Sequence, residues 1–215
     1  SSDLDQQSVR FGIREITAAV DPQQHLQFRI NGQKILIRGG GWAPDMLLRR
    51  SEQRLEDQFR YVREMNLNTV RLEGKMESDA FYNLADEKGI LVMGGWCCCD
   101  RWEQWDKWNP RDLEIASASV RSQILRMRSH PSMLVWLNGS DNPPPANVEK
   151  TYIQILKDTD WPNPYLSSAS QTMTTVTGVT GVKMTGPYDY VPPDYWLTDT
   201  SHRGGAFGLD RKSVV

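Results

Sequence analysis

The stretch Met133–Pro145, Met-Leu-Val-Trp-Leu-Asn-Gly-Ser-Asp-Asn-Pro-Pro-Pro, sets a carboxylate just behind a short apolar run. Met133–Leu137 has the composition of a strand buried on both faces. The chain then breaks at Gly139 into Ser140-Asp141-Asn142, and three prolines stiffen the residues behind this turn. A carboxylate on a rigid turn past the end of a buried strand is well placed for chemistry, because a parallel α/β barrel carries its active site there. Asp-Asn before Pro is also ordinary turn chemistry, so the rest of the chain must decide. Polar and aromatic residues recur at matching points: Trp42 and Asp45, then Glu73, then Trp96 followed by Asp100, Trp102, Glu103, Trp105 and Trp108, and later Tyr188 and Asp189. Each has a plainer use, since Trp is usually core and Glu73 can pair with Arg71 or a lysine. Their shared register behind strands points to an acidic pocket walled by indoles. Indole faces stack on the C–H face of a sugar, and carboxylates accept hydrogen bonds from hydroxyls. Acids also suit a cationic sugar, where a charge-assisted bond contributes roughly 1.5–3 kcal/mol. An acid that protonates a glycosidic oxygen needs a raised pKa, which a second carboxylate about 5 Å away supplies.

The elements that must position these groups alternate. Residues 8–30 read as two strands around a turn at Asp21-Pro22, and Asn31-Gly32 is a hairpin signal. Ile35-Leu36-Ile37 reads as a strand that Gly39-Gly40-Gly41 ends. Residues 51–66 read as a helix with Leu55, Phe59 and Val62 on one face. A strand follows at Thr69–Gly74, then a helix from cap Ser78 to stop Gly89. Ile90–Met93 is the next strand, and Asn109-Pro110 opens a long helix ended by His130-Pro131. After Met133–Leu137 come a helix at Val148–Thr159 and strands at Tyr165–Ser168 and Val182–Met184, with another starting near Gly205. This pattern predicts a parallel sheet with crossover helices. Six strands and the start of a seventh make most of an eight-stranded barrel, which takes about 250 residues. An open doubly wound sheet is the alternative, and no G-x-G-x-x-G fingerprint supports it.

Composition narrows the partners. The 215 residues are 39% hydrophobic and 24% charged, with a formal net charge of −2, a soluble globular composition. No basic block favours nucleic acid, and nothing favours a membrane: no apolar run reaches the roughly 20 residues that span a bilayer. The three cysteines are contiguous, Cys97-Cys98-Cys99. Zinc sites space their thiolates by two or more residues and neighbouring cysteines seldom pair, so three buried thiols are expected and no metal.

Phe11-Gly12-Ile13-Arg14-Glu15, Asn31-Gly32, Ile37-Arg38-Gly39-Gly40-Gly41-Trp42 and Asn68-Thr69-Val70-Arg71-Leu72 resemble glycoside hydrolase family 2. In that family such stretches mark the end of an immunoglobulin-like β-sandwich and the first strands of a TIM barrel. The resemblance covers about residues 8–208. It implies an α/β fold: an incomplete TIM (β/α)8 barrel over residues 31–209, with residues 1–30 as the tail of a sandwich domain leading into it. Most of the family carries Asn-Glu behind the fourth strand, where Glu is the acid/base. Ser140-Asp141 here resembles the exo-β-D-glucosaminidase branch, which removes glucosamine from non-reducing ends of chitosan. Arg71-Leu72-Glu73-Gly74-Lys75 and Gly94-Gly95-Trp96 with Cys98-Cys99-Asp100 fit that branch, whereas Cys97 departs from its more usual Glu. The swap has a physical sense, because an ammonium cannot accept the hydrogen bond that an amide N–H offers to a hydroxyl.

The resemblance implies Asp141 as general acid/base and Glu73 as partner of the sugar ammonium. Asp45, Trp42, Trp96, Ser140 and Tyr188 are expected in the pocket, with no metal or organic cofactor. A β-mannosidase, an endo-β-mannosidase or a non-catalytic carbohydrate-binding protein are the other readings. Gly204–Gly208 resembles the seventh strand, which in this branch runs on to a nucleophilic Glu near position 212. Lys212 stands there, inside Asp210-Arg211-Lys212-Ser213-Val214-Val215, which resembles the translation of a sequencing-library adapter. The expectation is therefore a fragment of a secreted or periplasmic parent, lacking its N- and C-terminal parts, and inactive as written.

Overall fold

The protein is seen in a computed structural model that describes residues 8, 11–49 and 51–182. The first strands, β1 (Ile16–Val20), β2 (Leu26–Ile30) and β3 (Gln33–Ile35), form an antiparallel sheet. Asn31 and Gly32 have φ of 51° and 76°, the left-handed pair that a two-residue hairpin with native twist demands. A second, parallel sheet then winds through β4 (Gly39–Trp42), α1 (Glu52–Glu64), β5 (Thr69–Leu72), α2 (Asp79–Lys88), β6 (Leu91–Gly95), α3 (Pro110–Met127), β7 (Met133–Leu137), α4 (Ala146–Asp158) and β8 (Tyr165–Leu166).

Spatial order follows chain order, β4-β5-β6-β7-β8, each strand parallel to the next. A doubly wound sheet would reverse at a switch point. The absence of a reversal among the described residues is the progression of a barrel, as expected. The helix boundaries follow local chemistry. Ser51 caps α1 by accepting from the Arg54 N–H. Asn109 and Asp112 form a reciprocal capping box behind Pro110. Gly89 ends α2 at φ 69°. Ser78 stands at the cap of α2 but its side chain makes no capping bond.

The sheet has a core on each face. On the helix side, Val70, Leu72, Val92, Met133 and Trp136 meet Phe59, Phe81, Val120, Ile124, Tyr152 and Leu156. Each fully buried side chain of this size contributes roughly 1.5–3 kcal/mol. On the other side, Met93, Val135, Leu137 and Leu166 meet Ile16 and Phe28 from the antiparallel sheet. That sheet is tied down by Arg14, whose guanidinium donates to the carbonyls of Pro131 and Met133 and to Asn163 Oδ1. Burial lowers the Arg14 pKa to about 10, opposed by the charge of Asp86.

One expectation needs correction. Ile35–Ile37 is not the first barrel strand: Ile35 pairs with Phe28 in the antiparallel sheet, and the barrel begins on the glycines themselves. A Cβ on Gly39 would lie 2.4 Å from the Thr69 carbonyl oxygen, so close approach of β4 to β5 requires glycine inside this strand. The residue 30 boundary falls at the turn of the β2–β3 hairpin, and no second sheet that would make a sandwich is present among the described residues. Lys183 and Met184, Tyr188, the Gly204–Gly208 strand, Lys212 and the 210–215 tail lie outside the described residues.

Candidate active site

The C-terminal ends of β5, β6 and β7 gather the polar residues. Strand alternation sends Val70 and Leu72 to the helices and leaves Arg71, and one step past the strand Glu73, on the opposite face. Arg71 is buried, and its guanidinium donates to Ser140 Oγ at 2.6 Å. That bond fixes the residue before Asp141 from two strands away. Gly41 leaves the space that Glu73 uses, since a Cβ there would stand 3.3 Å from Glu73 Oε2.

A second clamp comes from the loop after β6. Asp100 accepts from the Trp102 N–H and starts a short 3-10 turn at Arg101–Glu103. This turn delivers Glu103 between two loops. One carboxylate oxygen accepts from the Ser140 and Asn142 N–H groups at 2.8 and 3.3 Å, and the other from the Cys99 N–H at 3.1 Å. Asp141 is thus held by its neighbours on both sides. Its Oδ2 lies 3.8 Å from Cys99 Sγ. The Glu73-Gly74 turn packs on the same cysteines: a Cβ on Gly74 would lie 2.9 Å from that of Cys98. Gly74 and Asp141 accordingly flank one Cys98–Cys99 unit. Ser140 and Asp141 thus share one turn behind β7, set against the Cys98–Cys99 pair.

The cysteines overturn the expectation of three separate thiols. Cys98 and Cys99 are joined by a disulfide, and Cys97 is free. Burial chiefly, with the charge of Asp100, pushes the Cys97 thiol up. The sulfurs of Cys98 and Cys99 and a carboxylate oxygen of Asp141 all lie within 4.8 Å of one another.

The two indoles expected in the pocket lie in the helix-side core. Trp42 pairs in register with Leu72 and so faces the helices, where Phe59 and Phe81 cover it and its Nε1 donates to Glu77. Trp96 lies in the same core, between Trp102, Trp108 and Tyr152, with its Nε1 on the Trp102 carbonyl. Both indoles are buried among these rings. Asp45 is engaged locally by the Leu47 N–H, Arg49 and, at 2.6 Å, Arg54. The backbone bond from Leu47 and the bond from Arg49 hold its carboxyl down at about 2. Tyr188 lies outside the described residues. Arg71 and Glu103 hold the site together, Arg71 through the Ser140 hydroxyl and Glu103 through the backbone of both loops. Alternation from Glu73 is the signal that points to Arg71. Glu103 stands in sequence among the acids behind β6, but the bonds that give it this role reach residues 37 and 39 positions away.

Parallel strands in chain order, with carboxylates at their C-terminal ends, define the catalytic face of a (β/α) barrel. The model of the glycosyl hydrolases family 2 TIM barrel domain matches residues 23–179, and the chain belongs to that family. It is 43% identical over 210 residues to an exo-beta-D-glucosaminidase of Streptomyces avermitilis, covering 94% of this chain and 23% of that protein. The crystal structure of an exo-chitosanase from Amycolatopsis orientalis superposes with a TM-score of 0.85 at 40% identity, over 91% of this chain and 24% of the other. An aspartate-to-alanine variant of that exo-chitosanase in complex with PNP-beta-D-glucosamine gives a TM-score of 0.84 at 40% identity, over 94% and 24%. The chain therefore spans about a quarter of the length of these relatives.

Proposed function

We propose that this barrel segment serves a retaining glycoside hydrolase that removes terminal β-1,4-linked glucosamine from the non-reducing ends of chitosan and its oligosaccharides. The observation that carries the reading is the Ser140-Asp141 pair at the C-terminal end of β7, held by Arg71 and Glu103 with Glu73 on the same face. Asp141, protonated, donates to the leaving glycosidic oxygen while a second carboxylate attacks the anomeric carbon. Asp141 then takes a proton from the water that frees the sugar. Glu73 accepts from the 2-ammonium of glucosamine, a charge-assisted bond that a mannoside hydroxyl could not match. The resemblance assigns the attacking carboxylate to a position near 212, where this chain has Lys212. Without it the double displacement has no nucleophile. Secretion of the full-length protein belongs to the same proposal.

The test uses the full-length gene product, read from genomic DNA past codon 209, beside the 215-residue chain. The full-length enzyme should cleave an aryl β-glucosaminide in preference to the mannoside, and Asp141→Asn should lower kcat by about 10²–10⁴-fold. The 215-residue chain should release no glucosamine. Preference for the mannoside would move the enzyme to a sister activity. Chitosan binding that survives Asp141→Ala with no turnover in the full-length protein would leave only a binding module. Genomic sequence running past codon 210 with no adapter match would remove the adapter origin of the last six residues.

A further inference from the structure

We propose that Cys98, Cys99 and Asp141 bind a thiophilic divalent cation of the zinc class once the Cys98–Cys99 disulfide is reduced. Contiguous cysteines alone make a poor site, since they supply two donors from one direction. The fold corrects this by bringing a third donor from β7: the two sulfurs and an Asp141 oxygen lie within 4.8 Å of one another. In a tetrahedral site the metal–sulfur distance is about 2.3 Å and the metal–oxygen distance about 2.0–2.2 Å, which sets neighbouring ligand atoms roughly 3.5–3.8 Å apart. Cys99 Sγ and Asp141 Oδ2 already stand at 3.8 Å. Opening the S–S bond lets the two sulfurs separate toward the same spacing.

The backbone around the cluster is held from three sides. Gly74 presses on Cys98, Glu103 accepts from the Cys99 N–H, and the same Glu103 accepts from the residues on either side of Asp141. A disulfide between adjacent residues closes no long chain loop, so reducing it frees no segment: the backbone stays where the fold puts it while the two sulfurs turn apart. The surroundings favour a cation: Glu103 and Asp100 are carboxylates beside the cluster, and Lys75 at 3.3 Å from Asp100 is the cation that offsets them. Cys98 is buried and Cys99 exposed, which gives one side for entry and one fourth position for water.

The chemistry balances in two steps. A trialkylphosphine cleaves the S–S bond and is oxidised to its phosphine oxide, with one water giving the oxygen and the two hydrogens of the thiols. The cation then replaces two thiol protons, which go to solvent, and leaves a site of net charge −1 with the Asp141 carboxylate. If the proposed hydrolase reading holds, the bound cation also removes Asp141 as a proton donor. Metal binding itself stands apart from that reading and is measured without substrate.

The 215-residue chain, reduced with a phosphine and freed of excess reductant, is titrated with Cd²⁺ while the ultraviolet sulfur-to-cadmium charge-transfer band is followed. One Cd²⁺ per chain and two protons released per Cd²⁺ are expected, with no band from the oxidised chain. Cys97→Ser should leave the titration unchanged, Cys98→Ser and Cys99→Ser should each abolish the band or halve it with loss of affinity, and Asp141→Asn should weaken binding about tenfold or more. In the unsubstituted chain, Cd²⁺ should shield Cys98 and Cys99, but not Cys97, from alkylation read by peptide mass. A band in the oxidised chain, equal alkylation of all three cysteines with Cd²⁺ present, or an affinity indifferent to Asp141→Asn would overturn the site.

Discussion

Single side chains here do their work through bonds that cross many residues of sequence. Ser140 is the clearest case. Its hydroxyl accepts a charge-assisted bond from buried Arg71, and Ser140→Ala should lower stability by about 1.5–3 kcal/mol in urea titration. Asp86 shows the same logic at the other end of the strands. Burial pushes its carboxyl up, but hydrogen bonds from His130 and Ser132 and the imidazole charge outweigh that and hold it below its ordinary value of 3.8. A depressed folded pKa contributes stability above the unfolded value and loses it as pH falls through the folded one. Unfolding free energy should therefore decline below about pH 4, and Asp86→Asn should flatten that acid limb. An unchanged slope in the variant would show that other carboxylates carry it. At this scale the sequence is legible for Asp141 and Glu73, whose positions just behind strands are local facts. It is not legible for Trp42 and Trp96. Both stand at strand ends, but the facing side depends on register, and register is set by the neighbouring strand.

Elements are more readable than side chains wherever one physical signal dominates. The α3 helix announces itself through Asn109-Pro110 and a regular apolar stripe, and the structure supplies the capping box. The β6 and β7 strands are apolar runs with clear stops, and β5 alternates, with Val70 and Leu72 toward the helices. The first barrel strand escapes detection for a reason that no local rule contains. Three glycines look like an end, yet Gly39 is demanded by the Thr69 carbonyl in the next strand. Gly139 plays a comparable part in the turn that carries Asp141, because a Cβ there would stand 2.2 Å from the Asn142 carbonyl oxygen. Gly139→Ala should cost about 1–3 kcal/mol and lower kcat of the full-length enzyme by displacing Asp141. Equal stability and turnover would show that the turn can yield.

Across the whole molecule, the antiparallel sheet is part of the barrel's core, not an appendage. Phe28 is buried against Met93, Val135 and Leu137. Phe28→Ala should lower stability by about 3–5 kcal/mol. Residues 16–35 contain no tryptophan, so indole fluorescence reports the barrel alone. A shifted fluorescence midpoint in the variant would demonstrate one cooperative unit, whereas an unmoved midpoint would separate the two sheets. The alternation of strands and helices makes the barrel class visible in the sequence, and the strand order confirms its direction of winding. The packing of β1–β3 against later strands is invisible there, because it joins residues far apart in sequence, Phe28 to Met93 and on to Val135 and Leu137.

That separation has a consequence for biosynthesis. Arg14 and Pro131 are 117 residues apart, yet one caps the other. At a translation rate of about 5–20 residues per second, roughly 6–23 s pass between their emergence from the ribosome. Throughout that interval the Phe28 hairpin has its strands but not its partner surface, while each new strand–helix unit can dock on the one before it. The nascent barrel grows from one side while its first-made piece waits, and a holdase chaperone that shields residues 26–35 would act at the one point in synthesis where the chain cannot yet protect itself.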